Sequence, residues 1–225
     1  QAHIHQVLEH AFLHELDFYQ QNSISRQQFI VPHRIIQFEQ STQFHELALS
    51  GQGLILVDTE NFFSCVPSDV GIIQQQILKA LETLENMHQL GWVHGDLKVE
   101  HFRCYKNSCK LIDFEQSFKS PHATQNLTAT PHYMAPELFH AERKTVQSDL
   151  YAFGIILYEW LTQIKLQAKT YHEWAVLHCQ QLQIQLPKQL ECFLPLLNGL
   201  MQKHVEQRFK LVLDAKDCLN STILL

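Results

Sequence analysis

Two short stretches hold the residues best suited to chemistry. Residues 94–101 read His94-Gly95-Asp96-Leu97-Lys98-Val99-Glu100-His101, which sets a carboxylate base and a cation two positions apart. A second carboxylate, Asp113, comes twelve residues after that octet, behind the strand-like run Cys109-Lys110-Leu111-Ile112. Transfer of a phosphoryl group calls for such a set. A base orients the attacking hydroxyl, a cation offsets charge on the moving phosphoryl, and a carboxylate holds Mg²⁺ against the phosphate oxygens. On that reading Asp96 is the base, Lys98 the cation and Asp113 the metal ligand.

The flanking pattern supplies elements to position these groups. Residues 3–21 carry Val7, Leu8, Phe12, Leu16 and Tyr19 at three- and four-residue steps, a helical period. Residues 29–38 and 44–49 are rich in β-branched and aromatic side chains and are expected as two strands. A hinge follows at residues 50–53, with an alternative that puts the last strand at 54–57 and the hinge at Asp58-Thr59. Residues 69–90 form an amphipathic helix with Ile73, Ile77, Leu81, Leu84 and Met87 on one stripe, capped by Ser68 and ended by Gly91. A hairpin turn is expected at Lys106-Asn107-Ser108. Further helices are expected at 147–163, 171–183, 189–203 and 211–220, the first apolar nearly all round and therefore central.

Taken in order, these segments resemble the protein kinase family, serine/threonine type. Residues 94–101 are similar to its catalytic loop, and Asp113-Phe114-Glu115 to its metal-binding triplet. Thr130-Pro131-His132-Tyr133-Met134-Ala135-Pro136-Glu137 resembles the end of its activation segment. Residues 148–154 resemble the start of its central helix, where Asp149 braces the catalytic loop, and Arg208 falls at the place of the partner of Glu137. The resemblance implies an α+β, protein kinase-like fold. It would have a mainly helical C-lobe (residues 53–225) and an incomplete N-lobe with hinge (residues 1–52), the latter holding helix αC and two or three strands. It further implies ATP and Mg²⁺ as cofactors and a protein substrate with a Ser or Thr hydroxyl. The sites are Asp96, Lys98 and Thr130 for catalysis, Thr130 by hydrogen-bonding Asp96 and Lys98. Glu15, Lys98, His101 and Asp113 serve the nucleotide, with Asp113 and His101 as metal ligands.

Departures from the family pattern limit what the resemblance implies. No lysine precedes Lys79, and no Gly-rich loop occurs, so the chain reads as a kinase domain lacking its first three strands and impaired as it stands. His101 replaces an asparagine ligand of the second Mg²⁺, a place where lipopolysaccharide sugar kinases also carry His. Gly95 replaces an arginine that pairs with an activation-loop phosphate. Glu115 replaces a glycine, and its Cβ disfavours positive φ, so the triplet is expected to switch less readily. The pair of Gly95 and Glu115 is similar to aminoglycoside and choline kinases, so a small-molecule kinase is one alternative. A pseudokinase acting as a scaffold is another. The segment from Thr130 to Glu137, with Arg208, favours a protein substrate.

Composition sets the outer bounds. The 225 residues, 45% hydrophobic, suffice for one domain with a packed core. Net charge is −6 with no basic stripe, which speaks against nucleic acid as a partner. The 15 histidines are scattered, and His3 and His5 read as ordinary exposed polar residues. Six cysteines show no CxxC spacing and are expected as reduced thiols of a cytoplasmic protein, with Cys104 and Cys109 close across the hairpin. No apolar run reaches the ~20 residues of a membrane span. Oligomeric state is not legible.

Overall fold

The computed structural model describes residues 2–22, 28–38, 51–120 and 129–222. Among these, helices dominate and the strands form small sheets, an α+β architecture consistent with a protein kinase fold.

Helix α1 (Ala2–Asn22) turns Leu16, Phe18 and Tyr19 inward and leaves Leu13 exposed. Phe18 stacks on Phe114 at 4.1 Å between ring centroids and meets Trp92 edge-on, so α1 packs directly on the Asp-Phe-Glu triplet. Strands β1 (His33–Phe38) and β2 (Gly51–Leu56) pair antiparallel, from His33 opposite Leu56 to Phe38 opposite Gly51. Gly51 and Gly53 thus lie within a strand, and the expected hinge at 50–53 is displaced. The chain leaves β2 at Leu56 and enters β3 (Glu60–Asn61), whose two residues pair with Cys104 and Arg103. A lobe boundary between residues 52 and 53 would cut β2 in half. The first expected strand also starts later than Phe29, since Ile30 makes only an isolated bridge to Leu111. The second, at 44–49, lies outside the described residues.

Helix α2 (Val70–Gln89) buries the expected stripe, Ile73, Ile77, Leu81, Leu84 and Met87. Its N-cap is Asp69, one residue past Ser68: Asp69 Oδ1 accepts from Ile72 N at 2.8 Å. At the other end Gly91 has φ +79° and donates its N–H to His88 O, a glycine C-terminal stop. Strand β4 (Trp92–Val93) leads into the catalytic loop and a single 3₁₀ turn at Val99–His101. The hairpin of β5 (Phe102–Tyr105) and β6 (Ser108–Leu111) follows, turning on Lys106 and Asn107, both at positive φ. Cys104 and Cys109 are directly opposite in its register and both are free thiols. Burial pushes the Cys109 thiol up to about 12. Strand β7 (Phe118–Lys119) returns to pair with β4.

The rest is helical. Short α3 (Pro136–Phe139) precedes α4 (Val146–Thr162), whose residues 148–161 are all buried and whose start carries a Thr145–Ser148 capping box. Two expected helices are shorter than the apolar pattern suggested. Helix α5 (Tyr171–Val176) widens into a π turn at Leu177–Gln181. Helix α6 (Leu194–Leu200) is preceded by 3₁₀ turns at Lys188–Phe193, because Pro195 tolerates only the first turn of a helix. Helix α7 (Val212–Thr222) packs on α2 and α6. Among the described residues no helix is long and apolar enough to cross a membrane.

Candidate active site

The catalytic loop is shaped by a buried carboxylate on α4. Asp149 accepts hydrogen bonds from the backbone N–H of His94 (2.8 Å) and Gly95 (2.9 Å), and His88 Nε2 lies 3.0 Å from Oδ2. Burial pushes the Asp149 carboxyl up, but the hydrogen bonds and the neighbouring histidines outweigh it and hold it below the usual range. Gly95 is required sterically as well. Its φ is +80°, and a Cβ there would come 2.7 Å from the carbonyl oxygen of Gln116. Read from sequence as a missing arginine, it is also the residue that lets the loop close on the triplet segment.

Beyond this turn the expected catalytic groups meet. Asp96 Oδ2 lies 3.0 Å from Lys98 Nζ, and Asp96 Oδ1 accepts from the backbone N–H of Thr130 at 2.9 Å. Thr130 therefore reaches Asp96 through its main chain, and no contact of Thr130 with Lys98 accompanies it among the described residues. Burial works against the Lys98 ammonium, yet the carboxylates of Asp96, Asp113 and Glu100 overcome it and hold the pKa above that of a free lysine. Lys98 thus pairs directly with Asp96 and feels the charge of Asp113 as well.

Asp113 has φ +65°, an uncommon left-handed conformation that aspartate tolerates better than most residues. Its side chain is 36% exposed, and Oδ2 lies 3.0 Å from His101 Nε2. Burial alone would raise its carboxyl; the hydrogen bond from His101 and the nearby Lys98 reverse that, so it is held low and ionised. The next residue is tied to α1: Glu15 Oε1 accepts from Phe114 N at 3.0 Å. Desolvation dominates at Glu15 and raises its pKa. Glu115 is not among the residues at positive φ.

A layer of histidines lies behind the aspartates. His94 is fully buried and donates from Nε2 to Ile112 O at 3.2 Å. Burial lowers its pKa to about 4, so the ring is neutral near pH 7. It stacks on His101 at 5.4 Å with 22° between planes. Further along, Glu137 and Arg208 form the expected ion pair, bidentate at 2.8 and 2.9 Å and buried on both sides. Arg208 also donates to the carbonyls of Gln147 and Gln202.

Three features escaped the sequence reading. His88 faces Asp149 from α2, and only the helical phase of α2 hinted at it. Lys144 is buried, and its ammonium is pulled down by desolvation against the opposing fields of Asp96 and Asp149. Glu159, in α4, gathers His132 Nε2 (2.5 Å), Lys165 Nζ (2.8 Å) and Leu166 N (2.7 Å). This joins the activation-segment end to the core helix, and no local spacing announces it. Among the described residues no group of three or more His, Cys, Asp or Glu is arranged to hold a metal by protein ligands alone.

The family model described as "Protein kinase domain" matches residues 9–222. The chain belongs to the protein kinase family. It is 33% identical over 99 residues to a probable serine/threonine-protein kinase of Dictyostelium discoideum, covering 43% of this chain and 7% of that protein. Over 79 residues it is 37% identical to a cGMP-dependent protein kinase of Toxoplasma gondii, covering 35% and 8%. The probable serine/threonine-protein kinase PknB of Lactococcus lactis is 33% identical over 111 residues, covering 47% and 18%. The chain spans a small part of the length of each of these relatives.

Proposed function

We propose that this chain transfers the γ-phosphoryl group of ATP to a Ser or Thr hydroxyl of a protein. The observation that carries the reading is the pairing of Asp96 with Lys98 and with Thr130 of the activation segment, and of Asp113 with His101. Asp113 fits a divalent cation: it is an ionised oxygen donor, partly exposed, held in one orientation. Asp113 would hold Mg²⁺, which would offset negative charge on the phosphates. Asp96 accepts the proton of the acceptor hydroxyl as that oxygen attacks. Lys98, charged and adjacent to Asp96, meets the negative charge that grows on the transferred group. Glu15 holds the triplet through the N–H of Phe114, which steadies Asp113 one residue away.

A protein acceptor is supported by the buried Glu137–Arg208 pair, which fixes the end of the activation segment. It is further supported by the Thr130–Asp96 bond, which joins that segment to the base. The acceptor class is tested by incubating the chain with γ-labelled ATP, Mg²⁺ and either a generic protein, kanamycin, choline or a sugar. Label in Ser and Thr of the protein alone is expected. Label in a small molecule alone would overturn the acceptor assignment, and nucleotide binding without transfer to any acceptor would make the chain a scaffold.

A further inference from the structure

A second metal ion does not fit at His101, and the misfit assigns that residue another role. In protein kinases two Mg²⁺ ions are held, one by the triplet aspartate and one by an asparagine of the catalytic loop. Mg²⁺ selects hard oxygen donors, and His101 offers only ring nitrogens. Nε2 is 3.0 Å from Asp113 Oδ2. Nδ1 is buried and has no hydrogen-bond partner among the described residues. The tautomer protonated on Nε2 donates to Asp113 and leaves Nδ1 with nothing but a bare lone pair. Ligation through Nε2 requires the opposite tautomer, with the proton on Nδ1. Metal-bound histidines give that second N–H to an acceptor, and here it would be buried without one.

The ring is also held in place. The His101 side chain is 4% exposed and stacks on His94, which is itself anchored to Ile112 O. The backbone of His101 is anchored too, its carbonyl accepting from Ile112 N at 3.2 Å. Swinging Nε2 away from Asp113 toward a metal would break this packing.

We propose that His101 is a positioning residue, a hydrogen-bond donor standing where the family keeps its second ion, and that the chain binds nucleotide with a single divalent cation. The inference rests on the reading of Asp113 as the metal ligand. The bond engages Oδ2, leaves the other carboxylate oxygen to the one ion, and helps keep Asp113 in its left-handed conformation.

Mn²⁺ binds nitrogen more readily than Mg²⁺ does, so it makes the stricter probe. Mn²⁺ is titrated into the chain with saturating adenylyl imidodiphosphate, and bound ions are counted by electron paramagnetic resonance. Pulsed measurements on the same sample detect ¹⁴N coupling from a ligating imidazole. One ion per chain without imidazole coupling is expected. His101→Asn, which restores an amide oxygen, should raise the count to two; His101→Gln serves if that variant does not fold. Two ions on the wild type, imidazole coupling, or an amide variant that folds yet stays at one would each overturn the proposal. Zero ions on the wild type would instead overturn the metal assignment of Asp113, and the proposal with it.

Discussion

Asp96 and Asp113 have different neighbours, and their substitution should separate two steps. Asp96 touches Lys98 and Thr130, so Asp96→Asn leaves the cation and the metal ligand in place while removing the base. Transfer should fall by about 10²–10⁴ with nucleotide affinity retained; steady-state kinetics beside a binding titration read both. Near-normal turnover in this variant would refute the base assignment. Glu15 behaves differently from these two. Its pKa is raised, so any stability linked to its protonation is complete below the unfolded value near 4.5 and is lost as pH climbs through the higher folded value. At neutral pH it therefore holds the Phe114 N–H at a desolvation cost. Glu15→Gln keeps an acceptor oxygen without the charge, so the variant should melt no lower than wild type at pH 7 and should lose its advantage below pH 4. A lower melting temperature at pH 7 would mean that the charge itself is needed.

Among the elements, the Glu137–Arg208 pair shows how far burial sets magnitudes. Both side chains are shut from solvent, so Arg208→Ala strands a buried carboxylate at a cost of about 3–5 kcal/mol. For a domain of this size that is a drop of roughly 6–20 °C in melting temperature, readable by differential scanning calorimetry; a drop under 3 °C would mean the pair is solvated in solution. This contact was legible in the sequence because its partners stand at fixed places in an ordered set of segments, as do Asp96, Asp113 and Asp149. Less legible was whatever depends on which of two adequate residues wins. Ser68 and Asp69 can both cap α2, and the aspartate does. Gly51 and Gly53 look like a linker, yet they pair with Phe38 and Ile36 because an exposed short strand tolerates glycine. The apolar periods at 171–183 and 189–203 do not record where a π turn or a proline interrupts the helix. Glu159 and its partners His132 and Lys165 come together only through tertiary packing.

For the molecule as a whole, the buried histidines set the acid response. Burial lowers both His94 and His178 to about 4, and each would titrate near 6.5 when unfolded. The unfolded chain therefore takes up protons first as pH falls from 6.5 to 4, and each histidine withdraws roughly 1.4 kcal/mol of stability per pH unit across that window. Asp149 and Asp113, held low, add their loss only below about 3.8. The urea midpoint should thus decline well before Asp149 and Asp113 contribute, and His178→Phe should flatten about half of the decline. A midpoint level from pH 6.5 to 4 would show that these rings are hydrated. The proposed function needs two carboxylates to serve one metal-bound nucleotide, Asp113 by holding it and Asp96 by receiving the acceptor's proton. The most direct measurement is the melting temperature with and without Mg²⁺-ATP for wild type, Asp96→Asn and Asp113→Ala. The account predicts a rise in the first two and none in the third. An Asp113→Ala variant that gains as much as wild type would contradict it.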